Sequence, residues 1–307
     1  MVSAATIAKA FAKVSVSSPG LGDLRGEGDY GALQLDGRAP SVLALHGFGS
    51  TPAEVKLVVE AAHELGLRVH APLLPGHGLH VRDLARMRWP DWRAAAQQAF
   101  EDLAATGGPV IVAGLSMGSL LTLELAMLYP EQTAGIVVLA PAIRLNWPWP
   151  SLALALVSKL GVPDFLVPKK APDIRDARQR RQQRTYSADP VQAGNEVRLA
   201  GRRIERELSK VRCPAFIAHG AEDHVCPVGN AQRVFMKLGT PIEDKELLIL
   251  PRSFHVITRD VERALLRARI QAFLFRLIAR ADIAGEHGEA APAPEAALPA
   301  QSRPVEP

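Results

Sequence analysis

The chain has 307 residues, 48% of them apolar and 22% charged, with a formal net charge of +4. That length and apolar share allow a large buried core, which excludes a fibrous or wholly disordered chain and fits one α/β domain carrying an insertion. No run approaches the ~18 apolar residues of a membrane span, the opening "MVSAATIAKAFAKVSVSS" has no continuous apolar stretch for a secretory signal, and Cys213 and Cys226 have neither disulfide-framework nor metal-ligand spacing, so an intracellular, cytoplasmic protein is expected.

Strand and helix patterns alternate along the chain. "SVLALHG" (41–47) is an apolar run ending in glycine and predicts a buried strand. A helix follows over 52–66, with a proline near its start and Gly66 at its end. "LRVHAP" (67–72) predicts the next strand, closed by the turn cluster "LLPGHG". A helix over 91–108 takes Asp91 as its expected N-cap. Then come "PVIVAG" as strand, 115–129 as helix and "AGIVVLAP" (134–141) as strand. The rhythm resumes with strand 213–220, a helix near 228–239, strand 245–251 and a last helix over 260–281. Repeated strand–helix–strand units predict a mostly parallel central sheet with helices on both faces.

The expected core is therefore 29–141 with 211–283, interrupted by an inserted helical cap over 142–210 at the edge where open α/β sheets bind ligands. Residues 1–28 form an N-terminal extension, and the Ala/Pro-rich tail 284–307 has too little to bury and is expected to be disordered. Between Ile143 and Lys210 there are fourteen Lys/Arg against seven Asp/Glu, so the rest of the chain is net negative. This run reads as a solvated helix face or as attraction to anionic lipid surfaces. Without interleaved aromatics or a binding motif, it does not predict nucleic-acid binding.

"GLSMG" (114–118) joins a predicted strand to a predicted helix. The pattern G-x-S-x-G gains its meaning from that context: a sharp strand-to-helix turn lifts the serine hydroxyl above the sheet, and the glycines let the turn close. Serine needs a histidine base oriented by a carboxylate. Among nine histidines, His255 in "SFHVITRD" follows a predicted strand, and Asp223 in "GAEDHVCP" follows another, with Glu222 and Asp244 as rivals. The order Ser116, Asp223, His255 is the one a nucleophile elbow demands. The oxyanion donors are expected from the backbone N–H groups of Met117, after the serine, and Phe48, in "LHGFGS".

Together "VLALHGFGSTPAEVK", "VHAPLLPGHG", "VAGLSMGS", "GAEDHVCP" and "SFHVITRD" resemble the α/β-hydrolase superfamily over about 38–280, and within it bacterial carboxylesterases and monoacylglycerol lipases. The resemblance implies the α/β-hydrolase fold and the triad Ser116, Asp223 and His255. It departs from the family at Ser119, where a second glycine is common, at Cys226 in a valine position, and at Phe254, which could narrow the site. The expected function is a serine carboxylesterase on short- to medium-chain acyl esters or monoacylglycerols, needing no metal or organic cofactor. An acyltransferase on the same triad and a low-turnover ligand-binding protein are the alternatives. The apolar start of the cap makes Trp147 and Leu156 candidates for an acyl pocket.

Overall fold

The computed structural model describes residues 24–25, 31–146, 166–169, 171–183 and 185–288. Most of the extension 1–28 and the tail beyond Gly288 lie outside these residues.

In chain order the strands are β1 (Leu24–Arg25), β2 (Leu33–Leu35), β3 (Arg38–Leu45), β4 (Leu67–Ala71), β5 (Val110–Leu115), β6 (Thr133–Leu139), β7 (Leu166–Pro168), β8 (Thr185–Tyr186), β9 (Ala188–Pro190), β10 (Ala215–Gly220) and β11 (Lys245–Leu250). The helices are α1 (Lys56–His63), α2 (Val81–Arg86), α3 (Trp89–Ala105), α4 (Met117–Leu128), α5 (Ala177–Gln182), α6 (Val191–Glu207), α7 (Gly229–Lys237) and α8 (Arg263–Gly288).

Seven strands form one sheet in the order β11-β10-β6-β5-β3-β4-β2, parallel throughout except for β2 against β4. Chain order runs outward from β3 to β4 and then restarts on the other side of β3 at β5. The C-terminal ends of β3 and β5 therefore flank a topological switch point, where such sheets open a crevice. The alternating side chains of each strand divide the core in two. Leu43, Val112, Val138 and Ile217 belong to the layer under α3, α4, α6 and α7, whereas Val42, Ile111, Val137 and Phe216 belong to the layer under α1 and α8. Helix α4 is buried through most of its length, so its sequence is apolar all round rather than on one stripe.

Helix α3 begins two residues earlier than the sequence suggested. Asp91 does not cap it from outside but sits in its first turn, and its carboxylate accepts from the Arg88 N–H at 2.7 Å. Pro90 fits there because a first-turn residue needs no N–H donor. The described part of the inserted segment holds α5 and α6 together with the short strands β7, β8 and β9. Buried Glu124 on α4 ties this segment to the core, accepting from Trp89 Nε1 on α3 at 2.8 Å and from Arg203 on α6 at 2.7 Å.

Candidate active site

β5 runs straight into α4 through Ser116, whose backbone takes φ 57° and ψ −112°, a conformation that L side chains rarely adopt. Two close approaches hold it there. A Cβ on Gly114 would lie 2.2 Å from the Gly118 carbonyl oxygen, and one on Gly118 would lie 2.0 Å from the Leu45 carbonyl oxygen. Only glycine satisfies both, which is why the turn is flanked by that residue on each side. The Ser116 N–H donates to the Leu139 carbonyl at 2.9 Å, and Ser119 Oγ donates back to the Ser116 carbonyl at 2.5 Å. The serine at 119 thus closes the first turn of α4 with its hydroxyl.

The loops after β10 and β11 bring the other two residues to this point. His255 Nε2 lies 2.9 Å from Ser116 Oγ, and His255 Nδ1 lies 2.7 Å from Asp223 Oδ2. The second oxygen of Asp223 accepts the N–H groups of Val225 and Cys226 at 2.8 and 2.7 Å. Burial alone pushes the Asp223 carboxyl up, but the His255 charge and hydrogen bonds from His219 and His255 reverse this and hold it well below the usual range. For His255 burial favours the neutral ring. The charge of Asp223 and its hydrogen bond, followed by the charges of Glu54 and Asp173, outweigh that and raise its pKa above 6.5. The rival Glu222 is turned away and paired with Arg175.

Phe48 lies in the turn after β3 and Met117 is the first residue of α4, so its N–H is among those a helix leaves without an internal partner. Glu54, buried in the one-turn helix Pro52–Val55, braces the Phe48 turn by accepting the Gly47 N–H at 2.7 Å. A Cβ at Gly47 would fall 2.7 Å from that carboxylate oxygen. Burial raises the pKa of Glu54. His46 is also committed to structure: its Nε2 accepts the Leu74 N–H at 3.1 Å, and burial lowers its pKa to about 4.

The family model described as serine aminopeptidase, S33, matches residues 38–262. The chain belongs to this α/β-hydrolase family. It is 31% identical over 236 residues to a thermostable monoacylglycerol lipase of Bacillus sp. (strain H-257), spanning 76% of this chain and 89% of that protein. A carboxylesterase of Bacillus subtilis (strain 168) is 26% identical over 239 residues, 77% of this chain and 93% of that one. Among solved structures, one from the metagenome-derived lipolytic enzymes LipS and LipT superposes with a TM-score of 0.74 at 31% identity, over 80% of this chain and 98% of the other. The protein is an α/β-hydrolase of the esterase and lipase kind, and an enzyme.

In this hydrolase His255 opens onto a cavity of about 410 Å³ between the sheet edge and the inserted segment. Leu145, Val197, Val225 and Val256 are among its apolar lining residues and Ser50, Glu54, Lys169 and Asp189 among its polar ones, with Lys169 Nζ 3.3 Å from Asp189 Oδ1. Trp147 and Leu156 lie outside the described residues. Phe254 does not line this cavity: its ring packs edge-on against His224, with centroids 4.7 Å apart, and under the Arg175 guanidinium at 4.6 Å. Cys226 is fully buried and behaves as a small apolar residue.

Sequence reasoning missed three polar residues. Glu54 is one. His219 is another: it is fully buried on β10, with Nε2 2.9 Å from Asp223 Oδ2 and 3.2 Å from the Cys226 carbonyl. The third, Asp173, reaches in from the inserted segment to accept the backbone N–H of His255 at 3.1 Å.

Proposed function

We propose that this hydrolase is a serine carboxylesterase acting on short- to medium-chain acyl esters, monoacylglycerols among them, through an acyl-enzyme intermediate. The observation that carries the reading is the unbroken hydrogen-bonded line from Ser116 through His255 to Asp223, with His255 at the wall of a cavity lined by both apolar and polar residues. Ser116 Oγ attacks the ester carbonyl carbon while His255 Nε2 takes its proton. The N–H groups of Phe48 and Met117 receive the negative charge that develops on the carbonyl oxygen. Collapse breaks the bond to the alcohol, which leaves with the proton held by His255. Water, deprotonated by the same nitrogen, then releases the acid and restores Ser116. Asp223 keeps Nδ1 protonated, so that Nε2 is the basic nitrogen throughout.

The cavity supports the choice of substrate. Its apolar lining residues suit an acyl chain, and its polar ones suit a hydroxylated alcohol such as glycerol. The volume falls within the range of small-molecule sites, which favours a short or medium chain.

A rate panel tests this reading, with p-nitrophenyl esters from acetate to palmitate, monoacylglycerols of the same chains, and aminoacyl p-nitroanilides. The preferred chain should be medium or shorter, monoacylglycerols should turn over, and the anilides should be inert. Ser116→Ala should retain only residual activity, and a fluorophosphonate should label Ser116 alone. Anilide turnover exceeding ester turnover, or labelling at another residue, refutes it.

A further inference from the structure

Asp173 belongs to the inserted segment, yet among the described residues its hydrogen bonds are with the two loops that carry Asp223 and His255. Its Oδ2 accepts the backbone N–H groups of both His224 and His255 at 3.1 Å. Oδ1 accepts from His224 Nδ1 at 2.8 Å, and the Asp173 carbonyl accepts the Val256 N–H at 3.1 Å. His224 and Val256 directly follow Asp223 and His255. One residue thus fixes the backbone at both members of the proposed base–carboxylate pair. The next residues add to the same seam: the Arg175 and Asp176 N–H groups donate to Asp260 at 3.1 and 3.0 Å, and Asp260 also accepts the Phe254 N–H at 2.7 Å.

The side-chain bond between Asp223 and His255 spans two loops leaving different strands, β10 and β11. Nothing in that bond alone determines how far apart the two backbones stand. We propose that Asp173 is a positioning residue for the histidine base: it sets the distance and angle between the His255 and Asp223 loops, so that the cap is part of the catalytic machinery and not only a cover over the substrate. This rests on His255 and Asp223 being base and orienter. A misplacement of about 1 Å at a reacting group costs on the order of a hundredfold in rate, so a small change in loop spacing has a large effect.

Asp173 also places a charge near the imidazole. The carboxylates facing His255 are Asp223 from the β10 loop, Glu54 from the turn after β3, and Asp173 from the cap. Removing any one of these negative charges makes the imidazolium less stable and moves the acid limb of activity to lower pH.

The test uses the full chain with p-nitrophenyl acetate, an ester too small to draw on an acyl pocket, and records kcat and KM against pH together with a thermal melt. Asp173→Ala should lower kcat by about ten- to a hundredfold, with KM within about twofold of the parent. Asp173→Asn can still accept the two backbone N–H groups through its oxygen. It should recover part of kcat and carry an acid limb displaced to lower pH. Should the alanine variant fail to fold, the asparagine variant alone decides by its acid limb. Wild-type kcat and an unmoved limb in both variants would overturn the proposal, as would a loss confined to KM or to melting temperature. Ser116→Ala and His255→Ala run alongside; acetate turnover surviving in either refutes the base assignment itself, and this proposal with it.

Discussion

His255 lies between opposing influences, burial that disfavours its charged form and three carboxylates that favour it, and the carboxylates prevail. A base must be neutral to accept a proton, so kcat/KM should rise with pH through a midpoint above the 6.5 of a free imidazole. Asp223→Asn should lower both midpoint and plateau, because it removes the largest charge and favours the wrong tautomer of His255. A midpoint at or below 6.5 in the parent enzyme would contradict the balance described. Glu54 acts from the one-turn helix Pro52–Val55, where it accepts the Gly47 N–H. Glu54→Ala leaves the Gly47 N–H buried without an acceptor and should cost about 1–3 kcal/mol, read as a lower melting temperature. Glu54→Gln restores an acceptor at that position and should recover most of the loss. Equal melting temperatures for the two variants would exclude this role.

At the scale of elements, the nucleophile turn is where the local sequence leaves least freedom. Gly118→Ala would drive a methyl into the Leu45 carbonyl, which is backbone and cannot rotate aside. Overpacking of this kind costs about 1–3 kcal/mol or more, and denaturant melts should show it. Gly229→Ala on α7 is the control, since an added Cβ there meets nothing within 4 Å, and the substitution should be neutral or slightly stabilising. The central parallel strands were legible in the sequence because each is a buried apolar run closed by Gly or Pro. β2, with three residues and a half-exposed pattern, is too short to show a period, and the same holds for β7, β8 and β9. Ser116, Asp223 and His255 could be picked out because each follows a strand. Glu54 and Asp173 could not, since their partners are chosen by tertiary proximity. His219 did leave a signal, a titratable residue inside the apolar run "AFIAHG".

Across the whole molecule, ion pairs join the inserted segment to the core and also link residues within it. Arg203 joins Glu124, Arg175 joins Glu222, Lys169 joins Asp189, and Arg144 and Lys237 converge on Glu205. A sequence-level charge count reads Arg175 and Arg203 as a surface feature, whereas both pair with core carboxylates and tie the cap to the core. No helix among the described residues is long and apolar enough to cross a membrane.

The strand order also divides the chemistry between two stretches of polypeptide. In the proposed mechanism β3 and β5 carry the acceptor of the acyl group and its charge-stabilising amides, while β10 and β11 carry the proton-handling pair, and within the sheet the two stretches join where β6 pairs with β10. A cut within the inserted segment before Leu166 therefore yields one fragment with the proposed nucleophile Ser116 and another with the proposed base His255. Neither should turn over an ester alone. Coexpressed, they should regain esterase activity as the β6–β10 seam re-forms, and fusing each to one member of an interacting pair should make that recovery depend on the pair. The hydrolase would then serve as a split reporter, its colour reaction reading out whether two other proteins have met.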